Sequence, residues 1–481
     1  MRCWTRGFWD LFFCEPCAAC PGWRLLVNRV EFDRRGFLKS ALAALGFSAI
    51  PGSSLLAAPD GWSPSGRAEL VFGFISDSHV RRDGDPAKER VWPRTPTTYL
   101  ENALRFFRDQ EVDAVVHGGD MAHRGLLCEL KFHADVWWRI FPGDRLPNGR
   151  KVERIFVTGN HEWCRNDPFA EKVYPDPEVR RANVLANDMP RHWEAVWREP
   201  YVRVWHRRVK GYDFFGEHFE DRFGDVAKLV RDKAPRGRKP FFIVHHMIPD
   251  EAFCTGLAGY SNAVMLFGHW HNTSAHLGTI HQREFAMING PSLRSNDIPG
   301  IPGFKPDKAT RCDKDEIQHG YLVRVYGGFV VFERHDFHHG GKVGPDLVLP
   351  LDRLAEKPFS PEALDRVFGA PAFSRGAKPS AAADGDGVAL EIPPADANPK
   401  SRAYAYDIVI VGEAGKAAAL RTCVYAAGCD YADGHPAAKG PTRIMIERKR
   451  LPSGSVLTCA VRPVSSLGTT GTPVSCKVTV V

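Results

Sequence analysis

The sequence predicts an α/β fold followed by an all-β sandwich domain, and three observations carry that prediction. From about residue 66 to 350, short apolar runs alternate with segments of helical period, the pattern of a layered α/β domain. From about 386 to 481 the helical period disappears and short alternating strands follow one another at hairpin spacing. Between them, residues 353–385 mix Pro, Ala, Ser and Gly and read as a linker. A chain of 481 residues exceeds what a single core sustains, so more than one domain is expected.

The strands of the α/β region read as ELVFGFIS, VDAVVHGG, VERIFVTG, PFFIV, NAVMLFG, EFAMING and GYLVRVYGGFVVFER. Helices are expected over 97–109 and 220–233, where apolar residues recur every three or four positions. A long insert, 163–238, separates the third and fourth strands; rich in Trp, Tyr, Phe and Arg, it is expected to wall the substrate side. Its Trp-rich run, 192–208, reads as core rather than as a base-stacking platform. The linker holds a short helical signal at SPEALDRVF. The strands beyond 386, among them RAYAYDIVIVGE, TRIMIERKRLPSG and VSCKVTVV, indicate an antiparallel β-sandwich. This domain resembles a fibronectin type III module, with LPSGSVLTCAVRPVSSLGTTG similar to the final hairpin. Its Cys423, Cys429, Cys459 and Cys476 can pair after export, with the connectivity open.

The formal charge of +7 is no argument for nucleic acid. Residues 1–58 hold seven Lys/Arg against four Asp/Glu, so about +4 falls on all the rest. FDRRGFLKSALAALGFSAIPGSSLLAAPDG, with Arg34 and Arg35 ahead of a mild apolar stretch, resembles a twin-arginine export signal cleaved near Ala57 and Ala58. Pro51 and Gly52 interrupt that stretch, so no stable membrane span is expected. Export to the periplasm or cell surface and contact with the twin-arginine machinery follow from the resemblance. Residues 1–26 fit nothing downstream, and translation is expected to start at Val27 or Val30. Cys14, Cys17 and Cys20 lack the fourth cysteine of an iron–sulfur motif.

Four apolar strands end in metal-ligand residue types: SDSHV (Asp77, His79), GGDMAHRG (Asp120), TGNHEW (Asn160, His161) and FGHWHN (His269, His271). Any one alone is weak, but four at strand ends, where α/β folds place their sites, are specific. Carboxylate, imidazole and amide oxygen together suit a dinuclear site of Mn, Fe or Zn type rather than a thiolate-bound structural zinc. His117 is expected to be packed or supporting, and His335, His338 and His339 to lie in a surface turn.

These motifs resemble the calcineurin-like metallophosphoesterases over roughly 70–345. The resemblance implies a four-layer β-sandwich flanked by helices and two metal ions sharing a carboxylate. Asp77, His79 and His271 would hold one metal, Asn160 and His269 the other, with Asp120 bridging. The family takes one further ligand from a strand end between the Gly-Asn-His and Gly-His-x-His motifs, where FFIVHHMIP carries His245 and His246. The length from Pro240 favours His246, while strand periodicity says only that one of the two faces the site. The implied reaction is in-line attack on phosphorus by a metal-bridging hydroxide. His161 would contact phosphate or protonate the leaving oxygen, with Glu162 orienting it and Arg124 binding phosphate. His123 stands where the related Ser/Thr phosphatases carry an aspartate that supports the histidine. The implied protein is an exported metal-dependent phosphoric ester hydrolase acting on phosphomonoesters or phosphodiesters of small molecules or nucleotides. The competing reading is a cell-surface binding protein with a vestigial phosphoesterase domain.

Overall fold

The computed structural model describes residues 66–480 except 81–95, 166–167, 220–223, 295, 298–299, 311–315, 386, 413–419 and 453–455. The expected export signal and the Cys-rich start lie outside the described residues. No described helix is long and apolar enough to cross a membrane.

Two six-stranded sheets form the centre. The first combines β1 (Leu70–Ile75), β2 (Ala114–His117) and β3 (Glu153–Phe156), all parallel, with the antiparallel β10 (His319–Val325), β11 (Phe329–Asp336) and β12 (Leu347–Pro350), in the order β12-β11-β10-β1-β2-β3. In the second, β5 (Tyr212–Glu217), β6 (Phe241–His245), β7 (Ala263–Phe267) and β9 (Ala286–Asn289) run parallel. Antiparallel β4 (Val204–Val209) and β8 (Ile280–Gln282) close its edges, in the order β4-β5-β6-β7-β9-β8. The central strands are apolar on both faces because both faces are covered. Phe72, Val116 and Ile155 of the first sheet meet Phe214, Phe242, Val244 and Leu266 of the second. Phe72 packs edge-on to Phe214 and Phe242 at 5.6 and 4.9 Å, and burying each such ring contributes roughly 1.5–3 kcal/mol.

Helices cover the outer faces. α1 (Pro96–Asp109), α2 (Leu127–Ile140) and α3 (Met189–Trp197) pack on the first sheet through Leu100, Leu104, Phe107, Trp137, Trp193 and Trp197. Spacings of four and three put Leu100, Leu104 and Phe107 on one helix face. α4 (Asp225–Lys233) and α5 (Glu251–Gly256) cover the second sheet with Val226, Val230 and Phe253; Asp250 caps α5 by accepting from Phe253 N at 2.7 Å. The layers run helices, sheet, sheet, helices.

The insert is more ordered than its composition suggested. Trp193, Trp197 and Trp205 are core, but the insert also supplies β4 and β5, joined by a two-residue turn at Lys210 and Gly211. The polarity of VWHRRV hid this hairpin, although those polar residues pair across it: Asp213 accepts from Arg208 Nε at 2.9 Å and lies 2.7 Å from His206 Nε2. The expected helix 220–233 is described from Asp225 onward. Residues 353–385 differ from a free linker: after Ser360, which caps it, α6 (Pro361–Phe368) buries Leu364 and Phe368 in the inter-sheet core, where Phe359 is also buried, and the segment ends in a paired strand. His335 lies buried in β11, whereas His338 and His339 occupy the turn after it.

That paired strand, β13 (Ser380–Asp384), opens a second all-antiparallel unit. β14 (Gly387–Ile392) and β17 (Thr442–Glu447) complete a three-stranded sheet in the order β13-β14-β17. β15 (Ala405–Gly412), β16 (Leu420–Tyr425), β18 (Val456–Val464) and β19 (Val474–Thr479) form a four-stranded sheet in the order β16-β15-β18-β19. Val388, Leu390, Ile408, Ile410, Leu457 and Val461 fill the space between these sheets. Ser466 Oγ, accepting from Leu277 N at 3.1 Å, and Tyr431, donating to Glu316 at 2.8 Å, tie this unit to the first.

Candidate metal centre

The parallel strands of both sheets end along one edge, and the motif residues gather there. Asp77 and His79 follow β1, Asp120 follows β2, Asn160 and His161 follow β3, His246 follows β6, and His269 and His271 follow β7. The chain turns hard at these points. Asp77, His79, Asp120, His269 and His271 all have φ between 42 and 73°, and they are five of the ten described non-glycine residues with positive φ. That conformation costs roughly 1–2 kcal/mol per residue, so its concentration here marks a geometry that the surroundings impose. The loops also close very tightly. A Cβ on Gly119 would lie 2.6 Å from His246 Nδ1, and one on Gly159 would lie 2.1 Å from Asp120 Oδ1, so only bare backbone fits.

Asp77, His79, Asp120 and His271 bring ligand atoms within 4.8 Å of one another, and Asp120, His246 and His269 do the same. Asn160 Oδ1 joins the second group, 2.9 Å from His246 Nε2 and 3.0 Å from His269 Nδ1. Asp120 belongs to both. Its Oδ2 is buried without a hydrogen-bond partner, faced by Nε2 of His246 at 3.4 Å, His79 at 3.7 Å and His161 at 3.9 Å. A buried carboxylate oxygen left so is costly unless a cation meets it, and this donor mix suits hard-to-borderline divalent ions. The residues present therefore fit metal in both groups.

The adjacent histidines separate cleanly. His246 Nδ1 donates to the Gly118 carbonyl at 2.8 Å, which turns Nε2 toward Asn160 and Asp120. His245, the last residue of β6, is buried with Nδ1 accepting from Met247 N at 2.9 Å.

Charge within the site is strongly coupled. Burial alone would raise Asp77 and Asp120, but His271 holds the first below the usual carboxylate range and His246 and His161 hold the second well below it. Burial works against the charged form of His246 as well, yet Asp120 lifts it to about 9. Burial lowers His269 to about 4, with His246 adding to the effect, and burial also takes His79 well below the ordinary histidine value. Metal bound there would displace the protons of His246 and His271, because imidazole ligates only when neutral.

His161 opens a short 3₁₀ turn, and its Nδ1 donates to the His123 carbonyl at 2.5 Å while Nε2 lies toward Asp120. The main chain of His123 thus orients His161, a task that the resemblance gives to an aspartate side chain. The His123 ring stacks on His161 at 5.5 Å, and His79, His123 and His161 form a third close group of ligand atoms. Glu162 differs from expectation. Rather than orienting His161, its buried carboxylate accepts from Ala122 N and Gly159 N at 2.6 Å and from Asp120 N at 3.1 Å, clamping the loops after β2 and β3 together. Burial, with Asp120 nearby, raises it to about 8. Arg124 is buried with its guanidinium over the Phe169 ring, 3.8 Å from the centroid, so its cation meets an aromatic face there. His117 supports the floor, with Nδ1 accepting from Gly119 N at 3.2 Å and Nε2 3.1 Å from Ser78 Oγ.

One wall escaped the sequence reading. The segment after β9 crosses the whole site: Leu293 N donates to the Ser76 carbonyl, Ser292 Oγ to that of Asp77 at 2.9 Å, Arg294 Nη1 to that of His79 at 3.2 Å, and Asp297 N to that of His271 at 2.6 Å. The signal was present, because EFAMING reads as a strand and PSLRSND follows its end at the same edge.

Residues 70–273 match the family described as calcineurin-like phosphoesterase, which supports a calcineurin-like metallophosphoesterase domain over a segment holding all seven expected ligands. No curated protein matches the chain. Among solved structures, a dimetal phosphatase from Danio rerio is similar at 12% identity and a TM-score of 0.34, covering 59% of this chain and 99% of its own. A phosphoesterase from E. coli is similar at 14% and 0.25, covering 57% and 98%. A predicted phosphoesterase from Streptococcus pneumoniae is similar at 12% and 0.27, covering 58% and 97%.

Proposed function

We propose that the chain is a dinuclear-metal phosphoesterase acting on phosphomonoesters or phosphodiesters of small molecules or nucleotides. The observation that carries this reading is the unpartnered Oδ2 of Asp120, shared by two groups of ligand residues that arrive from the strand ends of both sheets. Asp77, His79 and His271 would hold one cation and Asn160, His246 and His269 the other, with Asp120 common to both groups. Bound there, Mn, Fe or Zn ions supply Lewis-acid charge and activate water for attack at phosphorus. His161, fixed through Nδ1, presents Nε2 to the phosphoryl group or the leaving oxygen. Glu162 keeps the Asp120 and Asn160 loops in register. Arg294, anchored beside His79, and Arg124 supply positive charge for the phosphate.

Arg34 and Arg35 support export by the twin-arginine route to the periplasm or cell surface. Seven antiparallel strands in a three-on-four arrangement support the fibronectin type III-like reading of the second unit. The test of function is turnover of p-nitrophenyl phosphate and its bis-ester by Mn²⁺-loaded protein. Wild type should hydrolyse at least one of them. Asp120→Asn should lose about 10³-fold or more and His161→Ala about 10²–10⁴-fold. Absence of turnover with Mn, Fe or Zn would favour the vestigial, partner-binding reading.

A further inference from the structure

We propose that Cys459 and Cys476 form an oxidation site that closes a cross-strand disulfide when the chain meets a disulfide-bearing oxidant. The described cysteines include Cys423, Cys429, Cys459 and Cys476 of the second unit. Only in the last pair does the backbone already set two of them face to face: Cys459 of β18 stands directly opposite Cys476 of β19, between the pairs Thr458–Lys477 and Ala460–Ser475. Residues opposed in an antiparallel ladder point to the same face with Cα atoms about 4.5 or 5.5 Å apart. Both spacings fall within the roughly 4.4–6.8 Å that a disulfide spans. Cys459 is fully buried in the sandwich core and Cys476 packs half-buried against it. The other sandwich thiols have different neighbours. Cys423 stands opposite Asp407, and the Cys429 sulfur lies 3.6 Å from the Asp430 carboxylate.

The reaction balances as ordinary thiol–disulfide exchange. Cys476, the more exposed thiol, loses its proton and attacks one sulfur of the oxidant's disulfide, releasing the oxidant's other sulfur as a thiolate. Cys459 then loses its proton and attacks the Cys476 sulfur, which releases the second oxidant thiolate. Two cysteine thiols give up two electrons and two protons, and one oxidant disulfide becomes two thiols. Burial pushes the Cys459 thiol up to about 12, with Cys476 adding to the rise, so Cys459 is not the first attacker. The bond closes an 18-residue loop and fastens the edge strand β19 to its sheet. It is independent of the phosphoesterase reading and accords with the proposed export to an oxidising compartment.

The test uses the full-length reduced protein, incubated with oxidised glutathione, alkylated in denaturant and cut with trypsin. Arg462 precedes Pro463 and resists cleavage, so Cys459 and Cys476 share the peptide 451–477, while Cys423 and Cys429 share 422–439. Peptide 451–477 should appear unalkylated and lighter by two hydrogens, and in Cys459→Ser protein Cys476 should be alkylated or glutathionylated instead. A cross-link between the two peptides, or full alkylation of 451–477 in oxidised wild type, would overturn the proposal.

Discussion

The two units of this chain are both built on paired sheets, yet only one gathers chemistry at an edge. In the first, β1, β2 and β3, and likewise β5, β6, β7 and β9, run parallel, so their C-terminal ends open along one side. In the second every pairing is antiparallel, so successive strand ends alternate between opposite sides. Among the described residues, the groups able to hold metal all fall in the first unit. Parallel pairing does more than cover a core here, because it brings separate short motifs into one cluster of side chains able to hold metal.

The sharpest way to break that comparison is at the end of β6. His246→Ala should abolish binding at one metal position and cut activity about 10³-fold or more, as read by metal stoichiometry and turnover. His245→Ala removes a neighbour of the same type on the same strand end. It should keep both metals and lose only about 1–3 kcal/mol of stability, measured by denaturant unfolding. If both variants lost metal equally, strand-end placement would not be what selects the ligand.

Acid sensitivity should divide the units next. His218, which accepts from Thr158 N at 3.0 Å, and His276 are buried in the first unit, and burial lowers each to about 3. The unfolded chain takes up these protons near pH 6.5 and the folded chain only near 3. Their contribution is therefore complete above pH 6.5 and is lost as pH falls through the window from 6.5 to 3, at about 1.4 kcal/mol per pH unit for each group. Replacing His218 with Gln should flatten that slope by one group's share between pH 6.5 and 4.5, as read from urea midpoints. The smallest effect is expected on the sandwich surface. Arg443 and Glu391 pair directly across β17 and β14 at 2.7 Å, but both are well exposed, so Arg443→Ala should change stability by about 0.5 kcal/mol or less.

The cluster of candidate ligands was legible because each member sits beside an apolar strand whose end is marked by glycine or a polar switch, so short-range pattern marks the residues that the fold gathers. Choosing between His245 and His246 was harder. The choice depends on where β6 stops, and His246 lies one residue past the period that strands impose. The β4–β5 hairpin was hidden because an edge strand carries polar residues whose partners lie across the turn. The wall after β9 was missed for a different reason: backbone amides, the Ser292 hydroxyl and the Arg294 guanidinium all bind main-chain carbonyls of distant loops, and such contacts leave little mark in local pattern. Glu162 stands beside His161 in the sequence, but two of the three main-chain donors of its clamp, Asp120 N and Ala122 N, lie about forty positions upstream, beyond the reach of local pattern.

The left-handed backbone at Asp77, His79, Asp120, His269 and His271 has a consequence for how this protein can change. Glycine would relax any of these positions, and each such replacement would delete a donor. Heat resistance and metal retention therefore pull in opposite directions at five places in one cleft. A laboratory selection for thermal robustness alone should erode this cleft first, yielding hardier molecules that keep both sheets intact while their capacity to hold ions drains away.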